Sequence, residues 1–157
     1  MALIPDRIET VTDVSFFSSS ATATRGGVAS ISTYGSGVSM DDANAVVSYA
    51  AVGSGAKPVG ILLNDVVDLD LTRQHINYHK DEVQKGGKVT LLQVGQITTD
   101  FVLGSPSGGQ VAYVGNSGYL QNTSPSNTSD EKPAHAVGRF LSGKDSDGYA
   151  KVAINIA

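Results

Sequence analysis

Between Pro58 and Lys88 the chain reads PVGILLNDVVDLDLTRQHINYHKDEVQKGGK, and most of its chemically capable side chains fall there. They are His75, His79 and Arg73, with the carboxylates Asp65, Asp68, Asp70, Asp81 and Glu82. His75 and His79 are spaced H-x-x-x-H. On a helix that spacing places both imidazoles and Glu82 on one face, where zinc could be chelated with Glu82 or Asp81 as a third ligand. On a strand, His75, Asn77 and His79 share a face instead. The pattern leaves helix or strand open for residues 72–85. Ile76 stands where the general base of the metalloprotease pattern H-E-x-x-H would be, so a solvated or interfacial polar face is the preferred reading and no metal is expected. Asp68 and Asp70 alternate with Val67, Leu69 and Leu71. That suits the outer face of one strand better than an acid/base pair or a hard-cation site.

Other motifs are equally plain. Asp145-Ser146-Asp147-Gly148 opens like a calcium loop, but its Gly comes too early and no Glu follows at the twelfth position, so a turn is expected. Asn122-Thr123-Ser124 and Asn127-Thr128-Ser129 fit the glycosylation acceptor and are read as chance in a Ser/Thr/Asn-rich loop. There is no G-x-S-x-G, and His135 is the third and last histidine. Gly35-Ser36-Gly37 and Gly53-Ser54-Gly55 lack the lysine of a phosphate-binding loop and the dinucleotide-binding spacing. No enzyme activity and no cofactor are expected.

The elements that must position these residues are short and β-rich. Candidate strands are GVASIST, AVVSYAAV, VGILLNDVVDL, KVTLLQVGQITTDFV, QVAYVG, GYLQN, HAVGRFL and YAKVAINIA. They are rich in β-branched residues and Tyr and are punctuated by Gly, Asn, Asp, Ser and Pro. In KVAINIA, Val152, Ile154 and Ile156 point one way and Ala153 and Asn155 the other. Gly108-Gly109 and Asp147-Gly148 read as tight turns. Ser39, with Asp41 and Asp42 after it, is a possible helix cap. The expected fold is an all-β sandwich or barrel-like single domain with at most one or two short helices. Residues 1–25 have low apolar density and read as an extended N-terminal arm ahead of a β-rich domain at 26–157. Leu3, Ile4, Ile8, Val11, Val14, Phe16 and Phe17 are too many apolar residues for a purely disordered tail.

Bulk properties narrow the classes. The chain has 157 residues, the size of one domain. It has no cysteine, which removes disulfides, thiolate metal sites and a Cys nucleophile. Charged residues are 17%, below the usual ~25%, and the net charge is −4. An acidic chain without a basic patch is not expected to bind nucleic acid or an anionic membrane. No apolar run approaches the ~20 residues of a membrane span, and the acidic N-terminal stretch does not resemble a signal peptide.

The segment VVDLDLTRQHINYHKDEVQKGGKVTLLQVGQITTDFV, with the preceding PVGILLNDV and the closing AVGRFLSGKDSDGYAKVAINIA, resembles the head decoration, or cement, proteins of tailed bacteriophages. The resemblance covers roughly two-thirds of the chain. Its most specific elements are Asp70-x-Thr72-Arg73-Gln74, Asn77-x-x-Lys80-Asp81-Glu82-Val83, Gly87-x-Val89, Val137-Gly138-Arg139-Phe140 and Asp147-Gly148-Tyr149. Residues 1–25 and 122–133 carry none of it. It implies a structural virion protein on the outer surface of an icosahedral head, made in the host cytoplasm. Such a protein partners the major capsid protein and cements capsomers against internal pressure, often as a homotrimer. The expected capsid or subunit contacts are Leu3, Ile4, Ile8, Phe16, Phe17, Thr72, Arg73, Gln74, His75, Asn77 and His79. The fork of donors on Arg73 suits an ion pair with Asp70, Asp81 or Glu82 or with a neighbouring chain. Deleting residues 1–25 is expected to weaken attachment and leave the core folded. Rival readings are another structural virion component such as a head-fibre base, a carbohydrate-binding β-sandwich module, and a hydrolase using His75, His79 and Glu82.

Overall fold

A computed structural model describes residues 3, 6–32, 45–68, 82–125 and 136–156. Strands take up 52% of the described residues and helical turns 5%. The all-β, single-domain expectation is met. Eleven strands are described: β1 (Ile8–Ser18), β2 (Val28–Ile31), β3 (Val46–Ser48), β4 (Pro58–Leu62), β5 (Asp65–Val67), β6 (Glu82–Gln84), β7 (Lys88–Thr99), β8 (Val111–Val114), β9 (Leu120–Gln121), β10 (Ala136–Phe140) and β11 (Ala150–Asn155). Each of the eight candidate runs supplies at least one strand. The proposed cap at Ser39, and most of 72–85, lie outside the described residues. Of the latter stretch, Glu82–Gln84 is strand.

Nine strands make one sheet in the order β1-β3-β2-β4-β7-β11-β10-β8-β9, and β1 also pairs with β7. The pairings therefore form a closed loop, β1-β3-β2-β4-β7. A second loop runs β7-β11-β10-β8-β9 and is closed by a bridge between Val102 and Leu120. There, the Leu120 N–H donates to the Phe101 carbonyl at 2.8 Å and the Leu103 N–H to the Leu120 carbonyl at 2.8 Å. Twelve-residue β7 belongs to both loops. Its first half lies between β1 and β4, its second between β1 and β11.

This arrangement explains the apolar runs. Val28, Ile61 and Leu92 belong to a large hydrophobic cluster with Ile97, Val114, Leu120, Phe140, Val152 and Ile154. Their neighbours Ala29, Leu62 and Leu91 belong to a second, smaller cluster with Val47, Val66 and Val89. Strands β2, β4 and early β7 are thus covered on both faces, which is why GILL and LL show no polar alternation. Burying each such side chain stabilises the fold by about 1.5–3 kcal/mol. β11 has one covered face, and its alternation is the one expected, with Val152 and Ile154 buried and Asn155 exposed. Close strand approach also fixes glycine at two places. A Cβ on Gly138 would lie 1.9 Å from the Ala153 carbonyl oxygen, and one on Gly95 would lie 2.1 Å from that of Ile8.

Both expected turns are present. At 145–149 the Asp145 carboxylate accepts the N–H groups of Asp147 (3.0 Å) and Tyr149 (2.8 Å), and Gly148 has φ 88°. At 107–110 the Gln110 N–H donates to the Ser107 carbonyl at 3.2 Å, with Gly109 at φ 92°.

Candidate functional site

Two surface features stand out, one at each end of the N-terminal segment. The first is a cleft of about 480 Å³ lined by Thr22, Thr24, Tyr49, Asp65, Val66 and Glu82, with Ala23 and Val67. Three short elements build it. Segment 22–25 pairs with β5 through a two-way bridge, Ala23 N–H to the Val66 carbonyl at 2.9 Å and Val66 N–H to the Ala23 carbonyl at 2.8 Å. β5 in turn pairs in parallel with β6, which sets Asp65 beside Glu82. One Asp65 oxygen accepts the Arg25 N–H at 2.8 Å. Glu82 Oε2 is buried without a hydrogen-bond partner among the described residues.

Tyr49 forms the back of the cleft. Its hydroxyl accepts the Gly27 N–H at 3.1 Å and donates to the Thr24 carbonyl. Burial pushes the phenol above its ordinary range, opposed by the Gly27 hydrogen bond and reinforced by the charge of Asp65. The group is neutral at physiological pH and ties the Thr24 carbonyl to the Gly27 N–H. Its ring begins an aromatic ladder, with centroids 5.6 Å to Phe101 and then 4.9 Å from Phe101 to Tyr119. These rings are spent on each other and do not form the flat exposed platform that sugar-binding modules present.

Among the described residues the cleft's lining offers two adjacent carboxylates and two threonine hydroxyls, with no imidazole or amine. Among the described residues no three His, Asp or Glu side chains converge to hold a metal ion. The described lining groups combine two acidic acceptors with hydroxyls that can donate or accept a hydrogen bond.

The second feature is β1. Within the segment expected as an N-terminal arm, Ile8–Ser18 is a strand of the main sheet and runs antiparallel along β7 from Ile8↔Gln96 to Phe17↔Lys88. Two residues of that segment enter this chain's own core. Leu3 bridges Thr99 and is 1% exposed, and Phe17 is 2% exposed, with the Lys88 ammonium 5.4 Å from its ring centroid. Of the expected contacts, these two are occupied internally. Phe16 is half-buried against the smaller cluster. Ile8 is 56% exposed, and with it Val11 (41%) and Val14 (60%), which the contact expectation did not include. Deleting residues 1–25 removes two core side chains as well as this stripe. Substitutions at Ile8, Val11 and Val14 separate the two roles. Ile4, Thr72, Arg73, Gln74, His75, Asn77 and His79 lie outside the described residues, as do Asp70, Asp81 and His135.

The course of β1 is irregular, with register shifts at Glu9/Val11, Val11/Thr12 and Asp13/Phe16. At the last of these Asp13 accepts the Ser15 N–H at 2.7 Å and also its hydroxyl. Those bonds, from the Ser15 hydroxyl first and its N–H second, hold the Asp13 carboxyl below its ordinary range.

No protein-family model matches this chain, and no curated protein matches it.

Proposed function

We propose that this chain is a structural virion protein that binds the outer surface of an icosahedral phage head and cements neighbouring capsomers. Its partners are the major capsid protein and further copies of itself, with a trimer favoured. It is not an enzyme on this reading. The observation that carries the reading is where the resembling residues sit. PVGILLNDV supplies β4 and the start of β5, KVTLLQVGQITT supplies β7, and AVGRF and YAKVAINIA supply β10 and β11. Of the most specific elements, Val137-Gly138-Arg139-Phe140 lies in β10, Gly87-x-Val89 leads into β7 and Asp147-Gly148-Tyr149 forms the turn before β11, while those beginning at Asp70 and Asn77 lie mostly outside the described residues. The physical demands of the role agree. A clamp needs a stiff scaffold and repeated modest contacts that add by avidity, and it needs no reacting groups.

The test is co-sedimentation of purified protein with expanded phage heads that lack it, with the free protein sized by light scattering. The expected result is saturable binding at a fixed copy number per hexamer. Absence of binding, together with a monomeric free protein, rejects the reading.

A further inference from the structure

The hairpin tip between β10 and β11 carries a reactive backbone bond. In the whole sequence Asp147 is the one aspartate followed by glycine, and no asparagine is followed by glycine. An aspartate carboxyl can be attacked by the amide nitrogen of the next residue. A side chain on that next residue crowds the approach, and glycine has none. Asp147–Gly148 is therefore the least hindered pair in the chain.

The fold keeps this pair accessible. Asp147 is exposed and Gly148 is half-buried, and a Cβ on Gly148 would meet nothing within 4 Å. The Gly148 N–H donates to the Asp145 carbonyl at 3.1 Å. Bonds at an exposed loop tip open locally at little cost. Asp145 is placed differently. Its carboxylate is engaged by the N–H groups of Asp147 and Tyr149, and a serine follows it. The registered pairs of β10 and β11 run from Phe140↔Val152 to Gly138↔Ile154. A longer backbone at 147–148 lies outside that ladder and leaves the core side chains of both strands in place. What it disturbs is local: the Asp145 N–H bond to the Tyr149 carbonyl at 2.9 Å and the Tyr149 N–H bond to the Asp145 carboxylate at 2.8 Å both span the altered link.

We propose that Asp147–Gly148 is a self-modifying site, at which the folded chain rearranges to an isoaspartyl linkage. The Gly148 nitrogen bonds to Asp147 Cγ and gives up its proton, a carboxyl oxygen leaves as water, and a cyclic imide forms. Water then opens the imide. Breaking the Cγ–N bond restores Asp147. Breaking the bond between that nitrogen and the backbone carbonyl carbon of Asp147 leaves the chain running through Cγ, with a free carboxylate on Cα. One water leaves and one returns, and nothing is oxidised or reduced. The product has one extra backbone methylene at the tip. The inference stands on the turn alone, independently of what shell or complex the chain joins.

The test holds the full chain for weeks at neutral pH and physiological temperature, beside a synthetic peptide copying residues 144–149. Trypsin releases residues 145–151 in one piece, because Lys144 and Lys151 flank the cut sites. The expected result is a second peptide of equal mass whose electron-transfer fragments place the isoaspartyl link at 147. It should form about tenfold faster than any such link at Asp145, a barrier difference of about 1.4 kcal/mol. The aged chain should accept methyl groups from a protein isoaspartyl methyltransferase, keep its denaturation midpoint and exchange the Tyr149 amide faster. Asp147→Glu should remove the methyl labelling. No isoaspartate at 147 once the synthetic peptide has converted means that the turn blocks the attack, and overturns the proposal. Isoaspartate spread evenly over the aspartates and asparagines, a modified fraction that is unfolded, or labelling that survives Asp147→Glu overturns it as well. Head co-sedimentation is a separate measurement, so the two readings fail separately.

Discussion

The Tyr49 hydroxyl holds two backbone groups from a different part of the chain, the Gly27 N–H and the Thr24 carbonyl. Tyr49→Phe leaves both without that partner in a largely buried place, and the expected cost is about 1–3 kcal/mol in denaturant unfolding. The same group makes stability depend on alkali. Its folded value is raised, so its contribution is complete below pH ~10, where an unfolded tyrosine is still protonated, and is lost as pH rises beyond that. The wild-type midpoint should fall more steeply above pH ~10 than that of Tyr49→Phe, and parallel curves would remove this account. Glycines give a sharper contrast. Gly138→Ala presses a methyl onto the Ala153 carbonyl and should cost about 1–3 kcal/mol or more. Gly55→Ala meets nothing within 4 Å and should stay within about 0.5 kcal/mol of wild type. Similar denaturation midpoints for the two variants would mean that β10 and β11 do not approach as described.

At the level of elements, β1 is the strand that the sequence hides. Strands β4, β7 and β11 announce themselves through β-branched runs bounded by Gly, Asn and Asp. In β1 the apolar residues Ile8, Val11 and Val14 face solvent, and three register shifts break any period of two. Its place in the sheet comes from backbone pairing with β7, about eighty residues away, and backbone pairing leaves no mark on side-chain type. The candidate cleft was hidden for a related reason. Asp65 and Glu82 were each visible as carboxylates, but their adjacency depends on a parallel pairing of two three-residue strands. Thr22, Thr24 and Tyr49 carried no signal, since nothing local predicts that segment 22–25 will bridge β5. The clasp within β1 is testable. Asp13→Ala should speed amide exchange of Ser15 and its neighbours while lowering global stability by under about 1 kcal/mol, because the carboxylate is exposed. Since the folded carboxyl is held low, its small contribution is present above pH ~4 and fades as pH falls through the lower folded value. Unchanged exchange at Ser15 would show that the bulge holds without the carboxylate.

For the whole molecule, the decisive feature is a strand shared by two loops of pairings. Side-chain ties across the two reinforce it: the Thr99 hydroxyl donates to the Gly26 carbonyl at 3.0 Å, and Asn116 Oδ1 accepts the Gly53 N–H at 2.8 Å. Neither loop keeps its set of partners without β7. Thermal or denaturant unfolding is therefore expected to show a single transition, coincident by far-UV circular dichroism and tyrosine fluorescence. Two separated transitions would mean that the loops are independent units. Refolding should take on the order of milliseconds to seconds, because most strand pairs join distant residues and loop closure precedes any gain. The strand inventory could be read from composition and punctuation; the sharing of β7 could not, because it is a property of pairing.

The turn between β10 and β11 has a further use. Residues from Leu141 to Asp147 are all exposed, and the loop is stitched by its own Asp145, so little outside it depends on its tip. Exposed tips of this kind are where chains accept added sequence with least damage to the fold. A foreign peptide spliced between Ser146 and Asp147 would be carried on two strands anchored in the main core, making this hairpin a port for cargo, with one passenger per copy of the chain.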